Sequence, residues 1–293
     1  MKILVLGGTR FFGVHLVKAL LNAEHEVTIA TRGNRKDNFG PYVHRIVVDR
    51  NNAQSMKAAF LGKEYDVVYD NLAYCSNDVK YALDSIQCKR YILMSSTAVY
   101  DLHDTILEED FNPNGKNLIW NARDDFSYGE SKRFAEIALF NAYPTQESIA
   151  IRYPFVIGKD DYTNRLSFYV SHVMNEIPMH IDNLNVPMSF ITSSDAGHFL
   201  CFMVEQHYTG PINGSCNGTI SIQDILSYIE LKTGMLAILD SSGEEAPYNG
   251  TPSNRINTEK AQKLGFVFSE LNEEIFSLID TYIDLENRMR GML

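Results

Sequence analysis

Two side chains four residues apart, in the run Tyr128-Gly129-Glu130-Ser131-Lys132, have the types and spacing for acid–base chemistry. On a helix that spacing puts both on one face. A phenol exchanges protons poorly at its ordinary pKa of about 10. An ammonium nearby favours the phenolate and lowers that value. A hydroxyl from another element would give the reacting oxygen a second hydrogen bond. The run Leu93-Met94-Ser95-Ser96-Thr97 offers three such hydroxyls. Ser96 is the choice made here, although all three could be strand-end caps and the residues alone do not decide between them. A YxxxK match is weak by itself in a chain with 16 tyrosines. A second copy, Tyr228 to Lys232, lies on an amphipathic stretch with no serine-ended strand before it, and reads as core plus surface.

Such a pair needs a hydride carrier beside it to do redox chemistry, and the chain's opening supplies a place for one. A strand at 2–6 runs into Gly7-Gly8-Thr9-Arg10-Phe11-Phe12-Gly13, and a helix follows. Gly7 fits the sharp turn and Gly13 the close packing of helix on strand. Main-chain amides from Thr9, Arg10, Phe11 and Phe12 at the helix start are then expected to hold a pyrophosphate. Arg10 stands where a GxxGxxG pattern has glycine, and can pair with a phosphate through two N–H groups. The second strand ends Ile29-Ala30-Thr31-Arg32-Gly33, without the acid that binds a ribose 2′-hydroxyl. Arg32 suits a 2′-phosphate instead, so NADP is expected in preference to NAD. Tyr128 would then move a proton as a hydride moves, with Lys132 on the nicotinamide ribose.

The elements that must position these residues alternate. Strands are expected at 2–6, 26–31, 44–48, 66–70, 90–95 and 148–152, with helices near 12–22, 53–60, 78–87 and 128–142. The strands are short and mostly apolar on both faces, as parallel strands covered on both sides are. This predicts an α/β fold, a Rossmann-like doubly wound parallel sheet with right-handed crossovers and a smaller C-terminal substrate lobe. The nucleotide domain is expected over 1–157, with 188–208 returning to it, and 158–293 mainly as the substrate-binding lobe. Within that part the pattern predicts a helix at 160–174, a strand at 188–192, helices near 194–205 and 271–289, and an exposed loop at 240–256.

Bulk properties narrow the partners. A net charge of −11 over 293 residues argues against nucleic acid as a partner, though a local basic pocket for a small anion remains open. The four cysteines lack CxxC spacing and the eight histidines are scattered, so no metal is expected. No apolar run is long enough to span a bilayer, and the opening hydrophobic run reads as a strand rather than a signal peptide. The expectation is a cytoplasmic enzyme with reduced thiols and a small-molecule substrate.

Taken together, the glycine turn, Asp49, Asn71-Leu72-Ala73, Ser95-Ser96-Thr97-Ala98-Val99-Tyr100, the YxxxK pair, Arg152-Tyr153-Pro154-Phe155 and Phe190-Ile191-Thr192 stand in a familiar order. In these motifs the chain resembles the extended short-chain dehydrogenases/reductases of the NAD-dependent epimerase/dehydratase family, in an atypical branch with a GGTRF-type turn. The resemblance implies Ser96, Tyr128 and Lys132 as catalytic residues. It implies Asp49 on the adenine amino group, Ala73 in the cofactor-lining turn, and Tyr153, Pro154 and Phe155 beside the nicotinamide. It also marks 160–165 as a motif in which Arg165 could bind an anionic substrate group such as a diphosphate. The stretch between Ala73 and Ser95 is too short for the usual helix that supplies a catalytic asparagine and half of a dimer bundle. That asparagine is not placed, and a homodimer stays open.

The leading reading is an NAD(P)-dependent epimerase, dehydratase or reductase acting on a hydroxyl or carbonyl of a sugar-nucleotide-like or other small polar substrate. The second is a non-catalytic dinucleotide- or RNA-binding protein on the same fold, since relatives with a GGTRF-type turn include plastid RNA-binding proteins. A redox-sensing regulator with slow turnover is the third.

Overall fold

The computed structural model describes residues 1–101 and 103–291. Strands and helices alternate from the start: β1 (Lys2–Leu6), α1 (Phe12–Asn22), β2 (Glu26–Thr31), β3 (Val43–Val47), α2 (Ala53–Phe60), β4 (Glu64–Asp70), α3 (Ser76–Leu83), β5 (Gln87–Ser96), α4 (Tyr128–Ile137) and β6 (Glu147–Tyr153). There follow β7 (Phe155–Ile157), α5 (Arg165–Met174), β8 (Met179–His180), β9 (Phe190–Thr192), α6 (Ser193–Phe202), β10 (Gly210–Asn213), α7 (Ile222–Thr233), β11 (Glu244–Glu245), α8 (Glu259–Lys263) and α9 (Leu271–Met289).

Seven strands make one parallel sheet in the order β3-β2-β1-β4-β5-β6-β10. This is the doubly wound α/β arrangement expected from the sequence. Successive residues of β1 point to opposite faces. Ile3 and Val5 pack with Leu16, Val17 and Leu20 of α1 on one side. Leu4 and Leu6 pack with Met56 of α2 and Val79 of α3 on the other. Strand order reverses between β1 and β4, so the loops leaving them diverge and open a crevice at their carboxyl ends.

The second half both completes this unit and adds to it. Helix α6 lies on α1, where a Cβ at Gly197 would stand 2.4 Å from the His15 Cβ. Only glycine allows that approach. Strand β10 joins the sheet edge beside β6, so the central sheet takes in residues beyond the 188–208 segment expected from the sequence. Two small parallel pairs, β7 with β9 and β8 with β11, frame the C-terminal part.

Several boundaries differ from the sequence reading. The helix expected at 160–174 begins at Arg165, because the Asp161 carboxylate accepts from the Thr163 amide (2.9 Å) and hydroxyl (2.6 Å). A side chain that bonds its own local backbone competes with helix. The helix expected at 128–142 is regular to Ile137 and ends in a wider π-type turn over Ala138–Ala142. The helix expected at 78–87 is displaced to Ser76–Leu83, since β5 is longer than anticipated and starts at Gln87. The strand expected at 188–192 begins at Phe190, and the helix after it covers Ser193–Phe202.

Candidate active site

The crevice at the β1/β4 switch point holds a cavity of about 430 Å³. Its charged lining is Arg10, Arg32, Arg35, Arg50, Arg123 and Lys132 against one carboxylate, Asp49, among the described residues. Behind it, the buried Arg50 pairs with Asp70 and, at 2.9 Å, with Asp78. Asp78 also receives Arg123 at 3.1 Å. Two of the cations are thus balanced from within, and the open cleft stays positive in a chain of net charge −11. That suits a polyanionic guest.

The turn after β1 uses its glycines as the sequence implied. Gly7 and Gly8 take φ +102° and +91°, a region that side chains resist. A Cβ at Gly13 would lie 2.9 Å from the Gly8 Cα, so the helix start and the turn are in direct backbone contact. The strained residue is not Arg10 but Phe11, with φ 52° and ψ −139° ahead of α1. The absent middle glycine therefore forces no unusual backbone at position 10.

The proton-transfer candidates converge on the same cavity from β5 and α4. Ser127 opens α4 by accepting from the Glu130 amide, which sets Tyr128 at the first helical position. Tyr128 is half exposed to the cleft, and Ser96 and Lys132 line it too. Desolvation pushes the Tyr128 phenol above its ordinary value of 10; the Ser96 hydroxyl and the Arg165 guanidinium pull it down. The three hydroxyls left open by the sequence have different surroundings. Ser95 donates to Glu136, and Thr97 is buried off the cleft wall. Ser96 accepts from the Ala98 amide at 3.2 Å and also acts on the phenol, so it is both a cap and a cleft group.

Lys132 is buried, with Nζ donating to the main-chain oxygens of Ala73 and Met94, both at 2.7 Å. An ammonium has three donors, so one remains. Its Nζ lies 5.8 Å from the Tyr128 ring centroid and 5.0 Å from that of Tyr74. Desolvation lowers the Lys132 pKa to about 8, against the pull of Asp70, Asp78 and Glu136.

The remaining residues singled out from the sequence divide. Gly7, Thr9, Arg10, Phe11, Phe12, Gly13, Arg32, Asp49, Tyr153 and Pro154 all line the cavity. Ala73 does not: it is fully buried and meets the site through its carbonyl on Lys132. Phe155 packs away from the cleft against Phe190 and Tyr248, with ring centroids 5.9 and 4.7 Å away. Arg165 is tied to the Val156 carbonyl at 3.1 Å and sits near Asp161 at 3.8 Å, beside the cavity rather than in its wall. Tyr228 donates to Asp280 of α9, and neither Tyr228 nor Lys232 lines the cavity.

Cleft residues to which the sequence assigned no role include Arg35, Arg50, Asn71, Tyr74, Arg123 and Tyr162. Arg35 had a signal, three residues beyond Arg32 on the same loop. Asn71 follows β4 at the switch point, and both side-chain amide atoms are buried without a protein partner. A buried amide left unpaired is costly unless something else meets it. Arg123 comes from a long irregular segment and had no signal.

The family model described as the NAD dependent epimerase/dehydratase family matches residues 3–87. The match takes in the glycine turn, Arg32, Asp49 and Ala73; Ser96, Tyr128 and Lys132 lie beyond it. Solved structures extend the likeness of fold to the whole chain. UDP-glucuronic acid 4-epimerase from Bacillus cereus, in complex with UDP-glucuronic acid and NAD, superimposes with a TM-score of 0.74 at 18% identity, covering 97% of this chain and 100% of that one. An epimerase from Methanothermobacter thermautotrophicus gives 0.77 at 15% identity, over 98% and 93%. A curated relative, chloroplast stem-loop binding protein of 41 kDa b from Arabidopsis thaliana, is 31% identical over 125 residues. The match covers 37% of this chain and spans about a third (33%) of that relative's length. No helix among the described residues is long and apolar enough to cross a membrane.

Proposed function

We propose that the protein is an NAD(P)-dependent enzyme of the epimerase, dehydratase or reductase type, with NADP preferred and Tyr128 as the acid–base group. The observation that carries this reading is a single cleft lined at once by the Gly7–Gly13 turn and by Ser96, Tyr128 and Lys132. A dinucleotide fits the residues present. The turn offers main-chain amides to a pyrophosphate, Asn71 has an unpaired amide at the switch point, and Arg32 and Arg35 line the cleft just after β2 with charges that suit a 2′-phosphate. Asp49 is the candidate for the adenine amino group, and Tyr153 and Pro154 for the nicotinamide side.

The nicotinamide, when bound, supplies a hydride donor or acceptor. The protein's own groups do the rest. Tyr128 takes a proton from a substrate hydroxyl as it becomes a carbonyl, or returns one in the opposite direction. Ser96 donates a hydrogen bond to that oxygen. Lys132 holds α4 to the sheet and, with its remaining donor, reaches the ribose. Arg165 draws an anionic group of a sugar-nucleotide-like or other small polar substrate toward the phenol.

Calorimetry with NADP and NAD, together with identification of any dinucleotide released on denaturation, tests the reading. Binding of NADP with retention by Tyr128→Phe is expected. No heat with either coenzyme from protein that also releases no dinucleotide on denaturation would overturn it. Cofactor released only by denaturation points to an internally recycled, epimerase-like cycle; an empty purified protein points to an exchanging reductase.

The stem-loop-binding relative favours a second reading, an RNA-binding protein using the same basic cleft. The net charge of −11 opposes it. Tight, steeply salt-dependent RNA binding without coenzyme binding would support it.

A further inference from the structure

We infer that Tyr162 and Arg10 form a strap across the mouth of the cleft that retains the coenzyme, with Tyr162 positioning Arg10 for the pyrophosphate. This rests on the dinucleotide reading above and concerns what controls release. Arg10 leaves the glycine turn on one wall. Tyr162 comes from the segment after β7 on the other. Both line the cavity, and the Arg10 guanidinium lies over the Tyr162 ring at 4.8 Å from its centroid. The Tyr162 ring also meets Phe11 edge-on, with centroids 6.2 Å apart. The contact therefore bridges the opening between the turn and the substrate side.

The Tyr162 segment is anchored at both ends. Asp160 accepts from Ser193 at 2.7 Å and pairs with His15 of α1 at 3.2 Å. The Tyr282 hydroxyl donates to the Gly158 carbonyl at 2.8 Å. Asp161 holds Thr163, and Arg165 holds Val156. Between these ties Tyr162 stays 58% exposed, projecting from a fixed base rather than packed into it.

Guanidinium chemistry makes the arrangement useful. The flat face stacks on a ring while the N–H edges remain free for a bidentate phosphate contact. Tyr162 can thus keep its hold on Arg10 when Arg10 turns its edge to an anion. This gives the arginine in place of the middle glycine a role that glycine could not perform. A glycine lets the phosphates approach the backbone; the arginine lets the opposite wall close over them. A dinucleotide leaving the cleft must break the Arg10–Tyr162 contact.

The test is stopped-flow release of NADPH, followed by its fluorescence, with excess NADP as the trap. Tyr162→Ala should speed release by a factor of about three to ten, the range for loss of one partly desolvated cation–π contact. Tyr162→Phe keeps the ring and should restore slow release. Arg10→Ala should speed release as well, and adding Tyr162→Ala to it should produce little further change. The exposed position of Tyr162 lets the fold be checked separately by thermal melting. Wild-type protein that binds neither coenzyme would overturn this inference together with the reading it rests on. Coenzyme binding with release unchanged in Tyr162→Ala, or with the Tyr162 effect undiminished in the Arg10→Ala background, would overturn the strap alone.

Discussion

The Lys132 ammonium lies 2.7 Å from the main-chain oxygen of Met94, two residues before Ser96 on the same strand. One hydrogen bond therefore ties α4, which carries Tyr128, to β5, which carries Ser96. A second, to Ala73, ties the helix to the loop after β4. The lysine fixes the separation of phenol and hydroxyl as well as contributing charge. That position is desolvated, which is why its pKa falls to about 8 from 10.5.

A stability measurement can read that depression. Below about 8 Lys132 is protonated in both states and the buried charge carries its full cost. Between about 8 and 10.5 the unfolded chain still binds the proton while the folded chain has lost it. Stability then rises with pH, because the unfolded state holds more protons. Compared with Lys132→Met, which has no such group, the wild type should gain steadily across that window. The gain is up to ~3 kcal/mol at about 1.4 kcal/mol per unit. Urea unfolding of both proteins at several pH values measures the gap. A gap that does not change with pH would mean the ammonium is not desolvated.

Tyr128 should titrate above 10 in the free protein, since desolvation is the largest influence on it. Ser96 opposes that influence, so Ser96→Ala should move the phenol higher still. NMR of protein carrying ring-labelled tyrosine follows this, with the Tyr128 signal assigned by its loss in Tyr128→Phe. Addition of NADP, whose oxidised ring is cationic, should move the same titration down. If Ser96→Ala lowers the value or leaves it in place, Ser96 is a cap and nothing more. For turnover, Tyr128→Phe should cost roughly a hundredfold or more, the usual worth of a positioned acid–base group.

What the sequence made legible, and what it did not, follows from how far each signal reaches along the chain. Parallel strands buried on both faces are continuous apolar runs, so β1, β2, β4, β5 and β6 were located to within a few residues; β3, at the sheet edge, is mostly exposed and lies at Val43–Val47 where 44–48 was expected. Gly7 and Gly13 were legible because a turn and a close helix–strand contact each demand glycine within seven residues. Ser96 could not be separated from its neighbours, because what separates them is Glu136, forty-one positions from Ser95 and bonded to its hydroxyl. Arg152 hides its role similarly: the carboxylate it pairs with in the fully buried core is again Glu136, on another element. Tyr74 and Arg123 are held at the cleft by the Asp78 network, where Tyr74 N–H and Arg123 Nε share one carboxylate oxygen, and by the Leu72 carbonyl, which accepts from Arg123. Such through-space groupings leave no periodicity to read. Phe155 misled because it adjoins cleft residues in sequence, while strand alternation turns it to the other side.

The Gly13–Gly8 contact makes a sharp demand on backbone. A methyl at position 13 would sit 2.9 Å from the Gly8 Cα, and neither partner is a flexible side chain that can yield. Gly13→Ala should therefore destabilise by about 1–3 kcal/mol, as overpacking does. It should weaken coenzyme binding more than Gly62→Ala, since nothing lies within 4 Å of a Cβ at Gly62 and its own cost is a φ of +68°. Urea unfolding and calorimetry on both variants separate the two effects. Full NADP affinity in Gly13→Ala would mean the turn does not hold the pyrophosphate.

Coenzyme choice should depend on Arg32 and Arg35, which line the cleft just beyond β2, a strand that ends without an acidic residue. A guanidinium and a phosphate attract strongly, and the same guanidinium gains little from a neutral hydroxyl. Arg32→Ala should weaken NADP by roughly tenfold, from the loss of one charge-assisted contact. NAD binding should change little. The double variant Arg32→Ala/Arg35→Ala should bring the two coenzymes close to equal affinity. Calorimetric titration of each variant with each coenzyme gives the ratio. Losses of equal size for NADP and NAD would place both arginines on a part of the dinucleotide common to the two, and the 2′-phosphate assignment would fall. A loss confined to NADP would tie the choice to the cations that replace the missing acid.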